Sequence, residues 1–343
     1  MALPSWKKVL VVDLGFLGDT VHSIPALRAL AQSGAQVDVM TTSVGAELLA
    51  LVPEVSRCWI IPLAKPSPPP WRHLGTLRAI RAEKYDAALT FSGSDRNLFC
   101  AAFSGAGERI AVISGQRWWL PLLRLTKKLS PGSHSSPLFE QRLDTLRKLG
   151  WSGCSPGWSW SCSRGVNSAP LSNAVYLSVS AFGSIHKEWP LKFWAEAIRL
   201  VLKVRPATNF IVGYANSSRE KTRAQNLAEC TGLPQLHILN QAISLTELAS
   251  LLHKVDLFAG LDSGVLHLAM AIGKPTVSVF RDYQSSQEWV PRGKCHKVIK
   301  RPCQCDLQKR NLCGQEAMCL VAIPPQEVAD AMLALLPPAH PSA

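Results

Sequence analysis

No apolar run in this 343-residue sequence approaches the roughly 20 residues that a membrane-spanning helix needs, so a spanning role is not expected. The first ten residues, MALPSWKKVL, lead directly into the strand-like VLVVDLG. That leaves no space for the apolar segment and cleavage site of a signal peptide, and a cytosolic, reduced chain is the expectation. Acidic residues are scarce as well: 24 Asp and Glu stand against 37 Lys and Arg, a formal charge of +13. This excess favours an anionic partner, whether nucleic acid, an acidic membrane surface, or a phosphorylated or carboxylated substrate. Ten cysteines over this length are too few for a disulfide scaffold. No D-x-D motif is present to suggest a divalent cation.

What is present supports a buried core. Apolar residues make up 47% of the chain and charged residues 18%, and the length suits two domains of roughly 100–200 residues each. Strand-like runs at Lys8–Leu14, Gln36–Thr41, Trp59–Leu63 and Asp86–Phe91 alternate with helical spacing at Asp19–Ser33, Ser43–Leu51 and Trp71–Lys84. A proline-rich loop, KPSPPP, interrupts them at Lys65–Pro70. The Ser-, Gly- and Pro-rich stretch between Gly150 and Ala174 has no periodicity and reads as a linker. The rhythm then resumes with strands at Val175–Val179, Asn209–Val212, Val255–Ala259 and Thr276–Phe280. Helices are expected near Leu191–Lys203, Ser218–Cys230, Ser244–His253, Gly264–Ile272 and Pro325–Leu336. Strand–helix alternation of this kind predicts an α/β protein with doubly wound parallel sheets and a ligand crevice between two such halves. The expected division is 1–165, 166–324, and a C-terminal helix and tail at 325–343.

Three constellations carry chemistry. Between the first strand and helix, Leu14-Gly15-Phe16-Leu17-Gly18-Asp19-Thr20 has G-x-x-G spacing, neither the G-x-G-x-x-G dinucleotide fingerprint nor a P-loop. Asp19 at the helix start reads either as an N-cap carboxylate or as a general base in a cleft. After the first strand of the second half comes Ser180-Ala181-Phe182-Gly183-Ser184-Ile185-His186-Lys187-Glu188-Trp189-Pro190. Here Pro190 suits the first position of a helix, and Lys187 is left in the loop, suited to neutralising phosphate. Trp189 reads as core. In Gly260-Leu261-Asp262-Ser263-Gly264-Val265-Leu266-His267, Asp262 and Ser263 are candidate caps of a helix whose free amides suit a diphosphate. His267 lies one turn in, as a ligand or a half-buried structural histidine.

The combination of LGDTVHSIPALRAL, HKEWPLKFWAEA and GLDSGVLHLAMAIGKPTVSVF resembles glycosyltransferase family nine, the ADP-heptose:lipopolysaccharide heptosyltransferases. RAEKYDAAL, SGAGERIAV, FEQRLDTLRKLG and IPPQEVADAMLALL extend the likeness over nearly the whole chain. The resemblance implies a GT-B fold, two Rossmann-like domains facing a central cleft, with acceptor on the first and nucleotide sugar on the second. It implies Asp19 as the catalytic carboxylate, with Gly18, Thr20 and His22 on an acceptor-side loop. Lys187 would meet the donor phosphates, with Asp262, Ser263, Gly264 and His267 as the donor loop and Glu220 as a ribose contact. Some members carry hydroxyls where this chain has Phe182 and Gly183; backbone amides and Ser184 are expected to substitute. The implied reaction is inverting transfer of heptose from ADP-heptose to the lipopolysaccharide inner core or lipid A acceptor, with no metal and no cofactor. The implied location is the cytoplasmic face of the inner membrane. Other readings are a family member with another nucleotide sugar or a protein acceptor, or a non-catalytic nucleotide-binding module. No nucleic-acid motif supports a nucleic-acid partner.

Cys303, Cys305, Cys313 and Cys319 could hold zinc or iron, but C-x-C with unequal later gaps is not paired-knuckle spacing, and a loop of reduced cysteines is the simpler expectation. Finally, Arg109–Phe139 holds five basic residues and no acid, with Trp118, Trp119 and leucines among Arg117, Arg124, Lys127 and Lys128. It reads as a solvated basic helix, or as a segment pressed against anionic lipid.

Overall fold

The computed structural model describes residues 4–62, 73–158, 171–181, 185–282, 284–303 and 317–338. It divides into two compact units, Met1–Ser161 and Cys162–Ala343.

In the first unit, short apolar runs become buried parallel strands because helices cover both of their faces. The elements run β1 (Lys8–Asp13), α1 (Leu17–Gln32), β2 (Gln36–Thr41), α2 (Ser43–Leu49), β3 (Val55–Ile60), α3 (Leu74–Ala82), β4 (Ala87–Thr90), α4 (Asp95–Phe103), β5 (Glu108–Val112), β6 (Lys127–Leu129) and α5 (Leu138–Lys148). The sheet order is β3-β2-β1-β4-β5-β6, with every adjacent pair parallel. β1 lies centrally, with Val9 to Val12 at most 1% exposed.

The second unit repeats the plan: β7 (Ala174–Ser178), α6 (Leu191–Val204), β8 (Asn209–Val212), α7 (Ser218–Thr231), β9 (Leu236–Ile238), α8 (Leu245–Lys254), β10 (Leu257–Leu261), α9 (Gly264–Ala271), β11 (Thr276–Asp282), β12 (His296–Pro302), α10 (Met318–Val321) and α11 (Pro325–Leu335). Its order, β12-β11-β10-β7-β8-β9, is the same winding read from the other edge. Helix α6 shows why the pattern folds so: Trp194, Ala197, Ile198 and Val201 recur at helical spacing and are all buried. Full burial of each larger side chain contributes about 2 kcal/mol. Trp189 is fully buried and donates its indole N–H to the Leu320 carbonyl at 3.1 Å. Helix α11 packs along α6 and adds Val328, Ala329 and Met332 to this core, so the terminal helix is a layer of the second unit.

In each unit the winding reverses beside the central strand, between β1 and β4 and between β7 and β10. The carboxyl ends of such strand pairs are where open α/β sheets bind ligands.

Several expectations shift. The strand expected at Trp59–Leu63 forms earlier, at Val55–Ile60, because Arg57, Cys58 and Trp59 pair with Asp38, Val39 and Met40 of β2. Leu63 and the KPSPPP loop lie outside the described residues. The basic segment expected as a helix is instead one 3-10 turn, Leu120–Leu123, followed by the edge strand β6. Arg124 takes the left-handed conformation, φ 47°, and ends the turn after four residues. Among the described residues no helix is long and apolar enough to cross a membrane.

Candidate functional site

Asp19 follows the central strand of the first unit. Helix α1 begins two residues before it, at Leu17, so Asp19 is not the N-cap that sequence spacing allowed but the third helical residue. Its Oδ2 accepts the Phe16 amide at 3.0 Å, satisfying a donor at the helix entrance. Gly15 makes this approach possible, since a Cβ there would fall 2.4 Å from the Asp19 Cβ. The Asp19 carboxylate remains 31% exposed, open enough to meet a substrate hydroxyl.

Beneath it lies a network absent from the sequence reading. Arg142 of α5 is buried; its Nη2 is 3.7 Å from Asp19 Oδ1, and its Nη1 is 3.8 Å from Asp13 Oδ2 and donates to the Asp19 carbonyl and to Ser23 Oγ. Ser23 in turn donates to Asp13 Oδ2 at 2.5 Å, and the Gly15 amide donates to Asp13 Oδ1 at 3.3 Å. One guanidinium thus serves two carboxylates on the last residue of β1 and the first turn of α1. A signal existed in the sequence, because Phe139, Arg142 and Leu146 share one helical face, so the arginine points where leucines do.

Gly18, Thr20 and His22, expected on an acceptor-side loop, lie instead within α1 and are buried. The helix starts two residues earlier than expected and so takes in Gly18, whereas Thr20 and His22 already fell within the expected helical run. Thr20 sits beside the Gly45 backbone, and His22 stacks on Phe139 at 6.4 Å and meets the edge of Trp158 at 6.0 Å.

In the second unit, the loops after the neighbouring strands β7 and β10 converge. Lys187 ends a 3-10 turn, Ile185–Lys187, and its Nζ lies 2.5 Å from Asp262 Oδ2. The other carboxylate oxygen of Asp262 is 3.7 Å from His267 Nε2. Burial pushes the Asp262 carboxyl upward, but the hydrogen bond from His267 and the charge of Lys187 outweigh it and hold the group at about 2. His267 is buried, not half-buried, with its ring 5.3 Å from Trp289.

Asp262 is therefore not a helix cap. Its side chain is committed to Lys187 and His267, and it holds the ammonium beside the start of α9. Ser263 is the N-cap residue by backbone conformation, yet its buried hydroxyl makes no cap hydrogen bond and has no partner among the described residues. An ammonium, an unpartnered hydroxyl and the free amides of a helix entrance together suit a diphosphate.

The loop carrying Lys187 is fixed at its base by residues the sequence reading passed over. Glu188 accepts the Ala181 amide at 3.0 Å and pairs with Arg219 at 2.7 Å. Arg219 and Arg223, on α7, donate to the carbonyls of Ala181, Val179 and Trp189. Pro190 is the N-cap of α6 rather than its first residue. Glu220 is buried in the first turn of α7, and its Oε2 accepts the Ala215 amide at 3.0 Å. Phe182, Gly183 and Ser184 lie outside the described residues, as do Cys305 and Cys313. Cys319 is hydrogen-bonded with Cys303; burial first, then this neighbour, push its thiol up to about 11, which keeps it protonated at neutral pH.

Two doubly wound units, each with polar residues at its winding reversal, make up the architecture of a GT-B glycosyltransferase. Solved structures agree with this fold. The glycosyl transferase family 9 protein of Veillonella parvula superposes with a TM-score of 0.76 at 15% identity, covering 98% of both chains. The Escherichia coli heptosyltransferase WaaC, solved with ADP-2-deoxy-2-fluoro heptose, gives 0.73 at 18% identity over 95% of this chain and 99% of that one. Residues 74–318 match the family model of glycosyltransferase family 9 (heptosyltransferase), and the chain belongs to this family. It is 25% identical to lipopolysaccharide heptosyltransferase 1 of Pseudomonas aeruginosa over 96% of this chain and 98% of that protein.

Proposed function

We propose that this glycosyltransferase moves heptose from ADP-heptose to a lipopolysaccharide inner-core acceptor, with inversion, at the cytoplasmic face of the membrane. The observation that carries this reading is the Lys187–Asp262–His267 cluster at the entrance of α9, beside the orphaned Ser263 hydroxyl. Relatives named for the same transfer cover nearly the whole chain and support the choice of sugar and acceptor.

In this mechanism the second unit binds the donor diphosphate. Lys187 and the first amides of α9 meet the phosphates and stabilise the charge that develops as ADP departs. Asp262 keeps the ammonium in place. Glu220 and Ser184 are assigned to the donor as well, Glu220 at the ribose. In the first unit Asp19 takes the proton from the acceptor hydroxyl as that oxygen attacks the anomeric carbon from the face opposite ADP. Because the positive charge comes from a lysine and a helix entrance, no divalent cation is assigned a step.

The test supplies purified protein with ADP-heptose and a heptose-free inner-core acceptor, in buffer containing a chelator. Release of ADP together with an acceptor one heptose heavier, of inverted anomeric configuration, is the expected result. Hydrolysis of the donor without a glycosylated acceptor, or strict dependence on added Mg²⁺ or Mn²⁺, would overturn it.

A further inference from the structure

The first unit carries an apolar surface that its core does not use. On α4, Phe99 and Phe103 are 40% and 52% exposed, and their rings stack at 6.3 Å. Phe99 also stacks on Trp119 at 5.0 Å, which joins the helix to the 3-10 turn at Leu120–Leu123. Within that turn Leu120 and Leu123 point inward, while Leu122 is 73% exposed; just before it, Trp118 is 86% exposed. Four large apolar side chains therefore face outward from two adjoining elements. Isolated exposed hydrophobics are ordinary, but four on elements joined by the Phe99–Trp119 stack mark a contact surface.

The charge around it selects the partner. Residues 92–130 hold six arginines and lysines against two acids, and both acids are already engaged: Asp95 with Arg117 at 3.3 Å and Glu108 with Lys127 at 3.2 Å. Arg124 and Lys128 are exposed and beyond those pairs, and Lys128 lines the same shallow groove as Arg117, Leu120 and Pro121. Aromatic side chains near the exposed bases Arg124 and Lys128 match the interfacial zone of an anionic bilayer, where indole rings sit at headgroup level and cations meet phosphate. A two-fold dimer through this face would set like charges against each other, which disfavours a second copy as the occupant.

We propose that this face, Phe99, Phe103, Trp118 and Leu122 flanked by Arg124 and Lys128, docks the protein onto anionic lipid. The inference rests on the membrane-side placement proposed above, supplies its surface, and leaves the two candidate sites untouched. Sedimentation with phosphatidylglycerol–phosphatidylcholine vesicles, without nucleotide sugar, tests it independently of catalysis. The protein is expected to bind these vesicles and not pure phosphatidylcholine. Trp118→Ala with Leu122→Ala, and separately Arg124→Glu with Lys128→Glu, should each weaken binding at least about tenfold, only the second deficit being reproduced by salt in the parent protein. Both variants should keep the parent's melting temperature and ADP affinity. No vesicle binding, binding indifferent to lipid charge, or unchanged binding by both variants would overturn the proposal. So would displacement by a single-stranded oligonucleotide, or a dimer that Trp118→Ala with Leu122→Ala dissolves. Vesicle binding without heptosyl transfer would leave the surface standing and remove the proposed reaction; the reverse result would do the opposite.

Discussion

Arg142 reaches Asp19 from 123 positions away in sequence, with Nη2 3.7 Å from the Asp19 carboxylate and Nη1 donating to the Asp19 carbonyl. The same guanidinium stands 3.8 Å from Asp13. The orientation of the carboxylate assigned as base is thus set twice, locally by the Phe16 amide and at long range by α5. A side chain fixed by both its own helix and a distant one loses little entropy on meeting a substrate, which is the physical requirement for a positioned base.

Asp19→Asn keeps the shape and an acceptor for the Phe16 amide but removes the proton-accepting charge. Turnover is expected to fall at least about 100-fold, the scale of losing a general base, while ADP affinity measured by calorimetry stays unchanged. Near-normal turnover would leave Asp19 as a helix-entrance acceptor only.

Removing Arg142 should act on folding first. Arg142→Ala would leave Asp13 and Asp19 without their shared cation in a largely buried setting. Breaking a buried pair of this type costs about 3 kcal/mol, read as a lower urea midpoint with an unchanged slope. Arg142→Lys should restore charge but not the forked contacts, and so recover only part of the loss. If Arg142→Ala melted like the parent protein, the network would be incidental.

Much of the fold was legible because its strands are short apolar runs separated by helical spacing, and the three glycine- and charge-bearing loops fell where strands end. Asp19, Lys187, Asp262 and His267 are legible as residues of those loops and helix starts, and the last three come together at one strand end. Arg142, Asp13, Glu188, Arg219 and Arg223 were not, because each acts through a partner that only tertiary packing supplies. The short edge strands β6 and β9, three residues each, carry too few residues for any period to register. The basic segment misled for a related reason. Its leucines repeat at helical spacing, but the left-handed Arg124 ends the turn and the chain leaves as an edge strand.

Acid should expose the Asp262 arrangement. The carboxyl titrates near 3.8 when unperturbed and at about 2 in the fold, so the folded state holds its proton less tightly. Its stabilisation is then complete above about pH 4 and is lost as pH falls toward 2, amounting to about 2 kcal/mol. Urea titrations of the parent protein and Asp262→Asn should show a stability gap that narrows by that amount between pH 5 and pH 2. A gap independent of pH would mean that Lys187 and His267 do not stabilise the ionised carboxylate.

Lys187 offers the most direct test of the donor site, because its ammonium has two possible employments. As a purely structural cation it would neutralise buried Asp262, and Lys187→Ala would lower stability while leaving ADP binding alone. As a phosphate ligand it would contribute a charge-assisted hydrogen bond of about 1.5–3 kcal/mol, equivalent to between about 10- and 150-fold in ADP affinity. The geometry supports the second role, since Asp262 holds the ammonium beside the entrance of α9, where the Ser263 hydroxyl has no partner among the described residues. Lys187→Ala is therefore expected to weaken ADP binding within that range and to lower turnover further, because charge on the leaving diphosphate grows in the transition state. Adenosine, which lacks the phosphates, should bind the parent protein and the variant alike. Calorimetry showing equal ADP affinity in the two proteins would return Lys187 to a structural role and move the diphosphate elsewhere.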